Sequence, residues 1–161
     1  MIQRIQSLYF ALNLLLLGSF FSGISWMKFE NKAEKTIESL SVFGWKTYSL
    51  AEGKETLLKV QPQPLYAAIA LLILILFLAL MRYKNPRKQL GIARFALLVN
   101  AFLLLAFVVW TTYLFSSAPK ASNNSVGLGY YFLCCTLPLS YFAYRGVLRD
   151  KMLLDSLDRL R

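Results

Sequence analysis

Histidine is absent from the 161 residues of this chain, which removes the usual general base and the commonest metal ligand of proteins. Cysteine is nearly absent too: Cys134 and Cys135 stand side by side. Neighbouring helical positions point about 100° apart, so a bond between them would be strained. No C-x-x-C pair exists for redox work, and the two thiols read as small packing residues. Acid is scarce as well, 8 Asp and Glu against 18 Lys and Arg, and none falls in the long apolar stretches. An ionisable group retained at the centre of a membrane helix costs about 2.5–3.5 kcal/mol and usually marks an ion path or relay. Its absence argues against a proton-coupled pump. Glu30, Glu34, Glu38, Glu52 and Glu55 alternate with lysines and read as a solvated face, not a catalytic pair. The chain is therefore expected to be no enzyme and to need no cofactor or metal.

What the chain has in excess is hydrocarbon: 57% of its residues are hydrophobic, with a mean hydropathy of +0.50. Soluble domains run to roughly 45–50%. The excess is gathered in uncharged stretches at about 8–27, 64–81, 95–117 and 124–144. A membrane-crossing helix needs about 20 such residues. The expected fold is an all-α integral membrane protein, a four-helix transmembrane bundle forming one domain over residues 1–161. The first stretch also resembles a signal peptide, with Arg4 ahead of it and Gly23 and Ser25 at −3 and −1 of a candidate cut. It outruns the usual apolar core of a signal and lacks an A-x-A site, so it is read as a retained span.

Charge gives direction to these stretches. The linker 82–94 carries Arg82, Lys84, Arg87, Lys88 and Arg94 with no acid, and the tail 145–161 carries Arg145, Arg149, Lys151, Arg159 and Arg161. Residues 28–63 balance their lysines with glutamates. The positive-inside rule then puts both termini and the linker in the cytoplasm and the 28–63 loop outside. The net charge of +10 is explained by orientation and by anionic lipid at the cytoplasmic face. No nucleic-acid partner is expected, since no recognition motif accompanies the basic residues.

Within the outer loop, "KFENKAEKTIESL" is polar enough for a short helix, with Lys35 and Glu38 spaced to pair. "SVFGWKTYSL" and "ETLLKVQ" flank the turn-like "AEGK" and predict a small β-hairpin leaning on the spans through Phe43 and Trp45. "SSAPKASNNS" reads as a polar turn. Asn13 and Asn100 are polar groups inside spans, expected to hydrogen-bond between helices and close enough in depth to meet. Pro138 predicts a kink in the last span. In the tail, Leu153, Leu157 and Leu160 share one helical face with Leu154 at its edge. Lys151, Asp155, Asp158 and Arg159 lie opposite, so an amphipathic helix is expected. It would rest in the headgroup plane, dock on the 82–94 linker, or bind a protein partner. The candidate interaction residues are Arg82, Lys84, Arg87, Lys88, Leu153, Leu157, Arg159 and Leu160.

The opening "MIQRIQ" and the closing "RGVLRDKMLLDSLDRLR" resemble the Bacteroidetes membrane protein family catalogued as domain of unknown function 4293. The matching positions are Met1–Gln6, Arg145, Asp150, Leu153, Ser156, Asp158, Arg159, Leu160 and Arg161. The resemblance implies a four-span bacterial inner-membrane protein and brings no catalytic residue, substrate or cofactor. The function expected from all this is an accessory or scaffold subunit that holds a basic linker and an amphipathic tail toward its partners. The runner-up is a small channel or transporter for a neutral or lipidic solute, with Asn13, Asn100, Thr136 and Ser140 along its path.

Overall fold

In the computed structural model the described residues are 2–31, 35–51, 54–63, 65–83, 85–117 and 122–159. Lys84 and Leu160 fall outside them, as do Glu34, Glu52 and the side chains of Leu157 and Arg159. Helix α1 (Ile2–Ser19) runs into a 3-10 turn, Phe20–Ser22. Gly23, at φ +82°, donates its N–H to the Phe20 carbonyl at 3.1 Å and turns the chain out of the helix. An L side chain would be strained in that conformation. Four strands follow: β1 (Ser25–Asn31), β2 (Thr36–Ser41), β3 (Gly44–Ala51) and β4 (Lys54–Pro62). Helices α2 (Leu65–Met81) and α3 (Pro86–Ser117) come next, then β5 (Ser122–Val126) and α4 (Leu128–Arg159).

The fold is therefore not all-α. A five-stranded antiparallel sheet in the order β4-β3-β2-β1-β5 accompanies the helices. The hairpin expected around "AEGK" is present as β3 and β4, with Ala51 opposite Lys54. It is two strands of five. The stretch expected as a short helix holds most of the β1–β2 hairpin, in which Phe29 faces Glu38 and Lys28 faces Ser39. Trp26 and Met27 are both buried because the register slips between Ser25 and Met27. That slip hides the period-2 alternation from the sequence. The polar turn expected before the last helix contains β5, which pairs along the free edge of β1 with Met27 opposite Val126.

The four-span expectation is corrected as well. Among the described residues, two helices are long and apolar enough to cross a membrane: Ile5–Ser22, with 18 residues, and Arg87–Ser116, with 30. Helix α2 is apolar but only 17 residues long, about 26 Å at 1.5 Å per residue. Helix α4 has 32 residues, and its second half is charged.

Helix α4 packs against α1 and α3, and α2 packs against the same two helices. Contacts between positions 6 and 150, and between 13 and 140, set α1 antiparallel to α4. The sheet thus gathers at one end of the helices and the arginines at the other, while Lys28, Lys46, Lys54 and Lys59 belong to the sheet. An aromatic seam joins sheet to helices. Trp26 meets Phe107 edge-on at 4.6 Å and Phe20 at 5.6 Å, while Phe29 lies 5.7 Å from Phe115 and 5.6 Å from Trp45. Each such pair contributes about 0.5–1.5 kcal/mol beyond the area it buries. Trp45 joins this core as expected, whereas Phe43 is 40% exposed and touches only Phe21 among the rings described.

Candidate functional site at the basic end of the helices

The helical layer buries a polar network within its apolar core and exposes large apolar side chains. Asn13, Asn100 and Thr136 are fully buried and Ser140 nearly so, while Leu8, Leu15, Phe102 and Leu105 are each more than 60% exposed. The buried groups form one network. Asn13 and Asn100 each donate a side-chain N–H to the Ser140 hydroxyl oxygen, at 2.6 and 2.9 Å. Asn13 also donates to the Thr136 carbonyl at 3.3 Å. The Thr136 hydroxyl has two acceptors in reach, Asn100 Oδ1 at 3.1 Å and the Leu133 carbonyl at 2.7 Å. The two asparagines thus meet through Ser140, clipping α1, α3 and α4 together beside Pro138. Asn13 Oδ1 has no partner among the described residues.

Toward the basic end, the Gln6 side-chain amide donates to the Asp150 carboxylate, and both groups are buried. Helices α1 and α4 approach closely there, because a Cβ on Gly146 would meet Gln6 Cγ at 2.7 Å. One turn beyond, Arg87 of α3 pairs with Asp155 of α4 at 3.2 Å. The guanidinium is 72% exposed and the carboxylate 40%, so water screens the pair. Among the three settings expected for the tail, docking on the linker is the one this contact shows.

The tail continues α4 as far as Arg159, and its faces are reversed from the usual soluble pattern. Val147 and Asp150 are buried against neighbours, while Met152, Leu153 and Leu154 are exposed. Arg82 and Lys88 are exposed alongside Arg87 at the start of α3 and the turn before it. Here the amide of Asn85 donates to the Arg82 carbonyl at 3.1 Å, and that of Gln89 to the Asn85 carbonyl at 2.9 Å.

Two cavities flank these networks. An apolar one of about 300 Å³ lies beneath the sheet, between Leu65, Ile69 and Leu72 of α2 and Leu103 and Phe107 of α3. Trp26 forms part of its wall, and the buried indole N–H has no partner among the described residues. A second, of about 600 Å³, lies between α1 and α4 at the basic end. Its lining includes Tyr9, Phe142, Arg145 and Arg149. Sequence reasoning used those arginines to orient the chain, and Arg145 for the family resemblance, but not as a binding pair. Their i, i+4 spacing, with Gly146 between them, was the overlooked signal, since it puts both guanidinium groups on one face next to a close helix approach. Among the described residues, no cluster of three or more His, Cys, Asp or Glu could hold a metal.

The terminal motifs singled out in the sequence therefore meet in space, Gln6 from the first and Arg145, Gly146, Arg149 and Asp150 from the second. No curated protein matches the chain. A family model described as a domain of unknown function (DUF4293) matches residues 2–160, and the chain belongs to that family.

Proposed function

We propose that the chain is a non-enzymatic accessory or scaffold protein of a bacterial inner membrane, presenting a basic, leucine-edged platform at the cytoplasmic face. The observation that carries this reading is the helical layer, which buries a hydrogen-bonded polar network within its apolar core and turns large hydrocarbon side chains outward. Water would penalise that arrangement and lipid would not, because interhelical hydrogen bonds are satisfied internally in a bilayer while apolar side chains meet acyl chains. Helices α1 and α3 serve as the spanning elements, with α2 and α4 packed beside them. Arginine gathers at one end, where no glutamate balances it, and the positive-inside rule assigns that end to the cytoplasm and the sheet to the outside.

The platform consists of Arg82, Arg87 and Lys88 with the exposed Met152, Leu153 and Leu154. The buried Gln6–Asp150 contact positions α4 against α1 beside this platform. The amide and hydroxyl groups of Asn13, Asn100, Thr136 and Ser140 are largely spent on one another, which favours helix glue over the lining of a solute path.

The test has two arms. Purified protein reconstituted alone is expected to give no solute flux above empty vesicles and no turnover. In cells, Leu153→Glu with Leu154→Glu is expected to abolish co-purification of one reproducible partner at unchanged protein level and unfolding midpoint. Flux from the protein alone, or a partner profile untouched by the substitutions, overturns the reading.

A further inference from the structure

We propose that the groove between α1 and α4 is a binding site for one anionic glycerophospholipid, with Arg145 and Arg149 holding the phosphate. The proposal rests on the membrane reading above and adds a ligand to it. Arg145 and Arg149 are four residues apart on α4, so their stems rise from one face about 6 Å apart. Both are exposed and both line the groove. The Arg145 guanidinium lies 5.9 Å from the centroid of the Tyr141 ring, an aromatic anchor that holds it near the end of the uncharged run. Asp150, the acid beside Arg149 in sequence, is turned inward onto Gln6. No ion pair to either arginine is formed among the described residues.

The groove thus offers two planar cations to one anion. Arginine recognises a phosphate through paired N–H donors, at roughly twice the strength of neutral hydrogen bonds. Apart from Gln6, whose amide is held by Asp150, the remainder of the lining is apolar or aromatic: Ile5 and Tyr9 from α1, Phe142 and Leu148 from α4, with the tilted rings of Tyr9 and Phe142 5.7 Å apart. A soluble phosphate would use the arginines and leave that wall unused, whereas a phospholipid would use both. Its glycerol and first methylenes would lie along Tyr9 and Phe142. The volume of about 600 Å³ falls within the roughly 300–1,000 Å³ of small-ligand pockets. The site also sits where headgroups would be, just past the uncharged part of α4. A lipid seated here would bridge α1 and α4 at the level of the Gln6–Asp150 pair and reinforce it.

The experiment uses the full chain in detergent micelles, with lipid retention read by native mass spectrometry and unfolding read by tryptophan fluorescence. Phosphatidylglycerol is expected to bind about tenfold more tightly than phosphatidylcholine and to raise the unfolding midpoint. R145Q with R149Q is expected to erase that preference, while R94Q with K151Q, which removes as much charge from the same end, leaves it intact. Equal binding of the two lipids by the unaltered chain overturns the proposal without any variant. Equal loss in both double variants overturns it too, since diffuse charge would then suffice. Competition by glycerol 3-phosphate at concentrations matching the lipid would reassign the site to a free phosphate and also overturn it. Failure of the membrane reading shows separately, as protein that stays in solution when detergent is removed.

Discussion

The side-chain amide of Gln6 donates to the carboxylate of Asp150, joining positions 144 residues apart in a buried contact. Hydrogen bonds to charged groups contribute about 1.5–3 kcal/mol. Removing the carboxylate alone strands a buried amide. Asp150→Leu is therefore expected to cost about 1–3 kcal/mol, and adding Gln6→Leu to recover part of that loss. Unfolding of the single and double variants in detergent measures the coupling, and strictly additive effects would count against the contact.

The network around Ser140 predicts an order of effects that composition would not. Ser140 accepts from two asparagine amides, so Ser140→Ala leaves both donors short inside the helical layer. Asn13→Leu removes one donor together with the unpartnered Oδ1. Ser140→Ala is expected to destabilise by about 1–2 kcal/mol and Asn13→Leu to be near neutral or stabilising. Thermal unfolding ranks them.

Two glycines should respond in opposite directions. A Cβ on Gly127 would collide with the backbone carbonyl of Ser25, where β1 meets the start of α4, whereas a Cβ on Gly91 meets nothing within 4 Å. Gly127→Ala is expected to cost about 1–3 kcal/mol through overpacking. Gly91→Ala, in the interior of α3, is expected to gain about 0.5–1 kcal/mol from reduced backbone freedom in the unfolded chain. Circular dichroism melts separate the two.

The Arg87–Asp155 pair is exposed enough that its removal should be nearly silent in stability. Arg87→Gln is expected to cost at most about 1 kcal/mol, a loss that shrinks as salt is raised. A larger, salt-independent loss would show that the pair contributes more than its exposure allows.

The helices were legible in the sequence because their signal is long and unbroken: an uncharged run of apolar residues has few other uses. The meeting of Asn13 and Asn100 was legible for the same reason, since a polar group in such a run must find a partner. The sheet was legible only where alternation survived, around Trp45, Thr47 and the turn before Lys54. In β1 the register slip puts Trp26 and Met27 inside together, and in β5 the serines and asparagines carry no strand preference of their own. That strand exists because the edge of β1 supplies hydrogen-bond partners, which is tertiary information. The reversal of the tail had a similar cause. Periodicity shows that Leu153 lies away from Asp155, but only the neighbours decide which face turns inward.

The proposed orientation across a membrane puts the sheet on one side and the arginine-rich helix ends on the other. Lys59→Cys on β4 and Lys88→Cys on α3 place single thiols at exposed positions on opposite ends, in a background of Cys134→Ser and Cys135→Ser. An impermeant maleimide applied to intact spheroplasts should label Lys59→Cys and reach Lys88→Cys only after lysis. Labelling of Lys88→Cys before lysis, or of neither protein in the membrane fraction, would contradict it.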